Sequence, residues 1–258
     1  MNKWWVRRVA AAAVIPAPLM VTTFIGSKVI KRLIERFLSK FNKQICMSLK
    51  EAWTKLIAYI LTDGSINFEG DNGIYLTLIS KDINLLIDFQ NTLKEFGLSS
   101  KITKHGTNFK VRKGCKKLAN ELIELCRIPV VDKKIIKKEA QIPDFILADE
   151  NLISLFLKIV ASTEGYVKLT KNRNGGYARR ITLGSINNNY KRIYSEMLNS
   201  LGINSKIAKN EVKIYGFNNF IKFKNKIGFV NCCKVVREPR KGVSKEELLN
   251  EMISTYSF

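Results

Sequence analysis

The sequence predicts an α+β fold built from two pseudo-symmetric αββαββα half-domains, whose sheets together form a concave saddle. Three observations lead to this prediction. A motif of small and apolar residues that closes on an acid and a glycine occurs twice, similar segments follow each copy in the same order, and the 258 residues carry 44 Lys and Arg against 22 Asp and Glu. A chain of this length can form one large or two modest domains with real cores.

The repeated motif predicts a close pair of helices. It reads LIAYILTDG at residues 56–64 and LKIVASTEG at residues 157–165. Apolar residues at i, i+3 and i+4 form a buried stripe, small residues let two backbones approach, and the closing glycine is expected to supply the positive φ that ends a helix. Asp63 and Glu164 then lie at helix C-termini, where the dipole disfavours a carboxylate. Side by side they repel each other unless a cation lies between them.

The segments after the motifs repeat as well. Residues 78–102 and 183–207 each carry a serine near the start, continue as an amphipathic helix and end in Ser-Lys-Ile. A unit this long that occurs twice indicates two half-domains and not a solenoid.

The first half-domain is predicted to span residues 48–128. After its motif helix we expect strands at 65–68 and 73–79, a helix at 83–96, strands at 100–104 and 108–112, and a helix at 116–126. Gly97 is the predicted stop of the middle helix.

A basic linker at 129–148 leads to the second half-domain at 149–236. There we expect a motif helix at 151–163, strands at 166–171 and 177–184, a helix at 188–201, strands at 205–208 and 211–215, and a closing helix at 217–226. A charged tail at 237–258 is expected to carry a peripheral helix at 245–253.

Residues 1–47 read as an N-terminal leader. An apolar run at 9–25 is short for a membrane span and contains Pro16 and Pro18. We favour a poorly ordered leader or upstream sequence read through, then an organelle transit peptide, and a secretion signal least. Residues 28–41 have the pattern of a basic amphipathic helix, which suits a nucleic-acid or membrane surface.

The formal charge of +22 predicts a polyanionic partner, nucleic acid first and an anionic membrane second. None of the five cysteines forms a C-x-x-C pair, and the one histidine, His105, has no ligand neighbour at metal spacing. Neither a structural zinc site nor a disulfide framework is predicted. An intracellular setting fits best, either the cytoplasm of a prokaryote or an organelle.

Basic and polar residues concentrate on the predicted hairpins. Because strand side chains alternate between faces, one face of each sheet can pack on helices while the other contacts phosphates and guanine edges. The nucleic-acid candidates are Asn67, Tyr75, Lys101, Lys104, Lys110, Arg112, Lys171, Arg179, Arg180, Lys206, Lys209 and Lys213.

The two motifs resemble those of the LAGLIDADG homing endonucleases, and the likeness covers roughly residues 48–234. It implies that the two motif helices pack at the centre and that Asp63 and Glu164 are catalytic acids that bind a divalent metal, Mg²⁺ or Mn²⁺. Two carboxylates can hold metals that activate a water and stabilise a leaving oxygen. The motifs depart from the family's commonest residues at Tyr59, Leu61, Lys158, Ile159 and Ser162.

The resemblance also suggests a catalytic lysine. Ser80 and Lys81 stand where the family often keeps a Gln–Lys pair, so the serine weakens the match there. The second half has Ser185 and Ile186 at those positions, and Lys168, four residues after the second acid, is the candidate substitute.

The first hypothesis is a monomeric, site-specific endonuclease that cuts both strands of a DNA target, as in intron homing. An RNA-binding maturase that folds its host intron is the alternative on the same fold, and a non-catalytic DNA-binding protein is the third. Two retained acids favour cleavage. No small-molecule substrate is expected.

Overall fold

The structure, a computed structural model, describes residues 47–70, 73–185, 187–236 and 240–256. The chain divides into two compact units at residues 1–45 and 46–258, and the described residues lie in the second. The predictions for the leader therefore fall outside the described residues, apart from residue 47. Within the described ranges, no helix has both the length and the apolarity that crossing a bilayer requires.

The first half has the predicted αββαββα order. Helix α1 is described over residues 47–61. It is followed by β1 (Gly64–Glu69), β2 (Gly73–Ser80), α2 (Ile83–Glu95), β3 (Ile102–His105), β4 (Asn108–Gly114) and α3 (Lys116–Leu125). The strands pair antiparallel in the order β1-β2-β4-β3.

The connector contains small elements that the sequence did not predict. Strands β5 (Val130–Val131) and β6 (Lys134–Ile135) form a short hairpin, whose turn residues Asp132 and Lys133 have φ of 48° and 60°. Positive φ at both central residues is the geometry of a tight hairpin turn. A 3₁₀ turn and the short helix α4 follow, at Lys137–Glu139 and Asp144–Leu147.

The second half repeats the first. Its elements are α5 (Glu150–Thr163), β7 (Gly165–Lys171), β8 (Tyr177–Gly184), α6 (Asn188–Ser200), β9 (Ser205–Ile207), β10 (Glu211–Ile214) and α7 (Phe217–Lys226). The strand order β7-β8-β10-β9 matches that of the first sheet. The predicted fold class is confirmed.

One hydrophobic core joins the two halves. Residues of both motif helices, such as Leu56 and Leu157, are fully buried in it. The tail helix α8 (Lys245–Ser254) also belongs to this core, because Leu248, Leu249 and Met252 are buried. The prediction of a peripheral tail helix is therefore wrong.

Candidate functional site

The two motif acids lie at the C-terminal ends of the motif helices. Asp63 lies in the turn between α1 and β1, and Glu164 caps the C-terminus of α5. They are 101 residues apart in sequence. The charge of Asp63 nevertheless helps to raise the pKa of Glu164, so the carboxylates act on each other in the folded chain.

The residue after each acid must be glycine because the motif helix leaves no space for a Cβ, and not because the backbone needs a positive φ. Neither Gly64 nor Gly165 has a positive φ, so that part of the prediction is wrong. A Cβ on Gly165 would lie 2.4 Å from the carbonyl oxygen of Ala161, and a Cβ on Gly64 would lie 2.7 Å from that of Tyr59. The first residue of each strand therefore packs directly on the last turn of its motif helix, which fixes the position of the acid before it.

Two lysines cover the negative ends of the motif helices. The Nζ of Lys137 donates to the carbonyl oxygens of Ile60, Thr62 and Gly64 at 3.1, 2.7 and 2.7 Å. A cation at a helix C-terminus compensates the dipole that disfavours the neighbouring carboxylate.

Lys245 does the same for the second motif helix. Its Nζ donates to the carbonyl oxygens of Ala161, Ser162 and Gly165 at 3.1, 2.7 and 2.6 Å, and the residue is only 5% exposed. The lysines thus occupy equivalent places in the two halves. The sequence contains one indication of this equivalence: each lysine follows the closing helix of its own half.

Burial and charge shift the pKa values at this site. Loss of water raises the pKa of Glu164 to about 7; Asp63 adds to the shift and Lys137 opposes it. Partial loss of water also raises the pKa of Asp63, although its side chain reaches solvent, and both lysines oppose that rise. Burial lowers the pKa of Lys137 and of Lys245. The four groups form one electrostatic unit.

A cavity of about 260 Å³ opens beside the first acid. It is lined by Asp63 and Lys81 from the first half and by Thr163 and Lys245 from the second. Lys81, the lysine indicated by the motif resemblance, therefore lines the same cavity as the first acid. Ile186, its counterpart in the second half, lies outside the described residues.

The strand register sorts the predicted nucleic-acid residues by face. Core residues such as Leu78 and Leu183 define the helix-packed face of each sheet, and residues of opposite parity lie on the other, which we call the open face. The nucleic-acid candidates on the open face are Asn67, Tyr75, Lys110, Arg112, Arg180, Lys206 and Lys213, and the catalytic candidate Lys168 lies on the same face.

The remaining candidates lie elsewhere. By register, Lys104, Lys171 and Arg179 belong to the helix-packed side of their sheets. Lys101 precedes β3 and Lys209 lies between β9 and β10, so neither is a strand residue. These five residues therefore do not belong to one surface of basic strand residues, contrary to the prediction.

Arg179 binds residues of the C-terminal tail. Its Nε and Nη2 donate to the hydroxyl and the carbonyl oxygen of Thr255, both at 2.6 Å, and its guanidinium lies 4.1 Å from the ring centroid of Tyr256. Thr255 is the C-cap of α8, so this arginine holds the end of the tail helix against β8.

The open face of the second sheet carries a connected polar network. The Nη2 of Arg180 donates to the hydroxyl of Tyr166 at 2.8 Å, and that hydroxyl donates to Glu211 at 3.0 Å. Glu211 also pairs with Lys213 at 3.0 Å. Sequence reasoning missed Tyr166 and Glu211, because an acid among basic residues gives no local signal of such a role.

On the open face of the first sheet, an ion pair and an aromatic ring hold the arginine in place. Arg112 pairs with Glu69 and lies over the ring of Tyr75, 3.8 Å from its centroid. The same ring covers Gly114, where a Cβ would come within 3.1 Å of it. Both arginines of the open face are therefore held by neighbouring side chains.

The donor set at the acids suits a hard divalent cation. Within the described ranges, no group of three or more His, Cys, Asp and Glu could hold a metal ion. A cation bound here would therefore take oxygen from Asp63 and Glu164 and complete its shell with water or a ligand. Mg²⁺ prefers this arrangement, and Mn²⁺ and Ca²⁺ accept the same oxygen donors.

Comparison with known proteins gives a family and a fold. A model of the LAGLIDADG-like domain matches the chain twice, over residues 54–139 and 151–228. Mesophilic variants of the homing endonuclease I-DmoI align with 70% of this chain and 97% of their own, at 20% identity and a TM-score of 0.51. A substituted I-DmoI in complex with its target DNA in the presence of Mg aligns over the same shares at 19% identity, again with a TM-score of 0.51.

A further structural neighbour is the homing endonuclease I-WcaI bound to its DNA recognition sequence. It aligns with 71% of this chain and 84% of its own, at 15% identity and a TM-score of 0.51. At these identities the likeness establishes a shared fold. Comparison with curated proteins finds no significant match.

Proposed function

Because this chain belongs to the family of LAGLIDADG-like domain proteins, we propose that it is a site-specific endonuclease that cuts both strands of a DNA target with a divalent metal, Mg²⁺ or Mn²⁺. The family resemblance found in the two motifs is confirmed by the two matched halves. The structures of I-DmoI in complex with DNA and Mn, and of a substituted I-DmoI with its target DNA in the presence of Mg, support the choice of substrate.

The observation that carries the proposal is the electrostatic unit at the motif ends. Two acids from different halves interact, and each lies by a helix terminus covered by a lysine. Burial raises the pKa of Glu164 to about 7. The ionised form of this carboxylate is therefore energetically costly when no cation is bound to it. Acids with perturbed pKa values beside a cavity are typical of a functional site, and Asp63 lines the cavity described above.

Each residue of the unit has a proposed role. Asp63 and Glu164 hold the metal, which when bound supplies an activated water and stabilises the leaving oxygen of a phosphodiester. Lys81, Lys137 and Lys245 place positive charge around the acids, where it stabilises the extra negative charge of the pentacovalent phosphate. Lys168 remains a proposal of the same kind for the second half, although the structure gives it no contact with an acid.

The open face is the proposed DNA surface. Lys110, Lys206 and Lys213 suit phosphate contacts, and Arg112 and Arg180 suit bidentate readout of guanine. The polar networks around the two arginines fix their guanidinium groups before binding, which reduces the entropy lost on recognition.

The experiment is selection of a cleavable site from a randomised DNA library by the purified full chain. We expect one dominant target, cut on both strands with Mg²⁺ or Mn²⁺ and bound without cutting in Ca²⁺ or EDTA. Binding without cleavage in every metal would overturn the enzyme assignment. Selective binding of a structured intron RNA in that case would favour the maturase.

A further inference from the structure

Each lysine that covers a motif helix is carried by a segment that the opposite half holds in place. Lys137 covers the first motif helix, yet its segment is bonded to α6 of the second half. Lys245 covers the second motif helix, yet its segment is bonded to α2 of the first half. The contacts run through the N-cap residues Asp82 and Asn187, which are 105 residues apart, the same offset as the repeated segments.

Asp82 holds the segment of Lys245. One carboxylate oxygen accepts from the backbone N–H of Asn84 at 3.0 Å and thereby caps α2. The other accepts from the backbone N–H of Lys234 at 2.6 Å, across the two halves. Asp82 is 4% exposed, and both of its oxygens are engaged in these bonds.

Short backbone bonds connect that contact to the lysine. Lys234 bridges to Ser244 as an antiparallel pair, and the N–H of Lys245 donates to the carbonyl oxygen of Cys233 at 2.8 Å. The amide of Asn84 adds a second bond across the halves, to the carbonyl oxygen of Cys232 at 2.8 Å. A displacement of this strand pair therefore moves the backbone of Lys245.

Asn187 holds the segment of Lys137 through a bond in the opposite direction: its side chain donates to that segment, whereas the side chain of Asp82 accepts. The side-chain oxygen of Asn187 accepts from the N–H of Asn189 at 2.9 Å and caps α6, while its Nδ2 donates to the carbonyl oxygen of Lys138 at 2.6 Å. The hydroxyl of Tyr190 lies 2.8 Å from the carbonyl oxygen of Lys137 itself. Asparagine suits this place because the connector presents a carbonyl, whereas the segment of Lys245 presents the N–H of Lys234 to Asp82.

We propose that Asp82 and Asn187 are positioning residues, each of which sets the lysine of the other half and thereby the rate at which one particular DNA strand is cut. The inference rests on the proposed function, because strand cleavage is its readout. It follows from the contacts above: each lysine is bonded to the motif helix of its own half, while its segment is bonded to an N-cap residue of the opposite half, and the two sets of contacts share no residue.

Serine variants separate this role from helix capping. Serine is a good N-cap but has one short side-chain oxygen, so Asp82→Ser and Asn187→Ser keep the cap and lose the contact with the other half. Asp149→Ser is the matched control, since Asp149 caps α5 through the N–H groups of Asn151 and Leu152. Lys137→Met and Lys245→Met identify the strand that depends on each lysine.

The assay follows nicking of the selected target with a different label on each strand. We expect Asp82→Ser to slow the strand that Lys245→Met slows, and Asn187→Ser to slow the strand that Lys137→Met slows, each on the order of ten- to a hundredfold for a displacement near 1 Å. The other strand should stay within about twofold, and Asp149→Ser should change neither by more. Equal slowing of both strands, or no slowing, would overturn the proposal.

Backbone hydrogen exchange tests the positioning without any cleavage. In the free protein, Asp82→Ser should speed exchange at Lys234 and Lys245 and leave residues 137–140 unchanged, and Asn187→Ser should do the reverse. Unchanged exchange in both variants would contradict the inference even if the protein cuts DNA. The expected exchange pattern in a protein that cuts no DNA would instead contradict the proposed function.

Discussion

At the residue scale, the site is a compromise between two acids and two lysines. A carboxylate at a helix C-terminus is unfavourable, and two of them near each other more so. Lys137 and Lys245 reduce that cost by binding the terminal carbonyls, but they do not remove it, because the pKa of Glu164 stays near 7. The remaining cost favours the binding of a cation.

The raised pKa of Glu164 predicts an effect on stability. Between its ordinary value of 4.5 and about 7, the folded chain binds this proton more tightly than the unfolded chain does. Stability of the metal-free protein should therefore fall as pH rises through that window. Glu164→Gln should remove roughly 1–3 kcal/mol of this loss, measured by urea unfolding at pH 5 and pH 8. The exposed Glu196→Gln serves as control, and an identical pH dependence in the Glu164 variant would refute the assignment.

The same shift predicts how metal binding depends on pH. A protonated Glu164 cannot hold a cation, so below about pH 7 metal binding must release a proton. We expect Mg²⁺ affinity, measured by calorimetry in two buffers of different ionisation heat, to increase as pH rises from 6 to 8. An affinity that does not change over this range would place the metal elsewhere.

At the element scale, the closing glycines fix the acids. Gly165→Ala should cost about 1–3 kcal/mol and reduce cleavage, because its Cβ meets the backbone of the preceding helix turn. Gly176→Ala is the control; its Cβ would meet nothing within 4 Å, so its free energy of unfolding should change by less than about 0.5 kcal/mol. Equal effects of the two substitutions on chemical unfolding would show that close packing is not the reason for the glycine.

Most elements could be predicted because their signals are local. The repeat, the helical period and the turn residues predicted the order of the long helices and of the strands in both four-stranded sheets, and β8 and α7 have the predicted bounds. The β5–β6 hairpin was missed because each strand has only two residues. The burial of α8 was missed because its partner surface, including Arg179 and β7, lies far away in sequence.

The candidate site was predictable only in part for the same reason. Asp63, Glu164 and Lys81 follow from a motif, whereas Lys137 and Lys245 reach the acids through folding of the connector and the tail. Alternation along strands separates Arg179 from Arg180, but only the observed register tells which of the two shares a face with Tyr166.

At the scale of the whole molecule, phosphate contacts on the open face should make DNA binding depend on salt. The logarithm of the affinity for the target should fall linearly with the logarithm of the salt concentration, with a slope of about −0.9 per contacted phosphate and on the order of ten phosphates contacted. Arg180→Ala should flatten the slope by about one, or relax base preference at one position by roughly 1–3 kcal/mol. The measurement is a filter-binding titration in Ca²⁺ at several salt concentrations.

The neighbouring arginine provides the control. Arg179 is bonded to Thr255, so Arg179→Ala should lower stability and leave the salt slope unchanged. Deletion of residues 1–41 should also leave the slope nearly unchanged if the open face supplies the phosphate contacts. If that deletion removed most of the affinity, the open face would not be the binding surface.

The most direct test of the central claim compares Asp63→Asn and Glu164→Gln with the wild type on the selected target, with cleavage of each strand and Kd measured together. Each substitution should abolish double-strand cleavage, because the metal loses a carboxylate, while Kd in Ca²⁺-free buffer should stay within a few-fold, because affinity comes from the open face. Double-strand cleavage at the wild-type rate by either variant would contradict a site built from both motif acids.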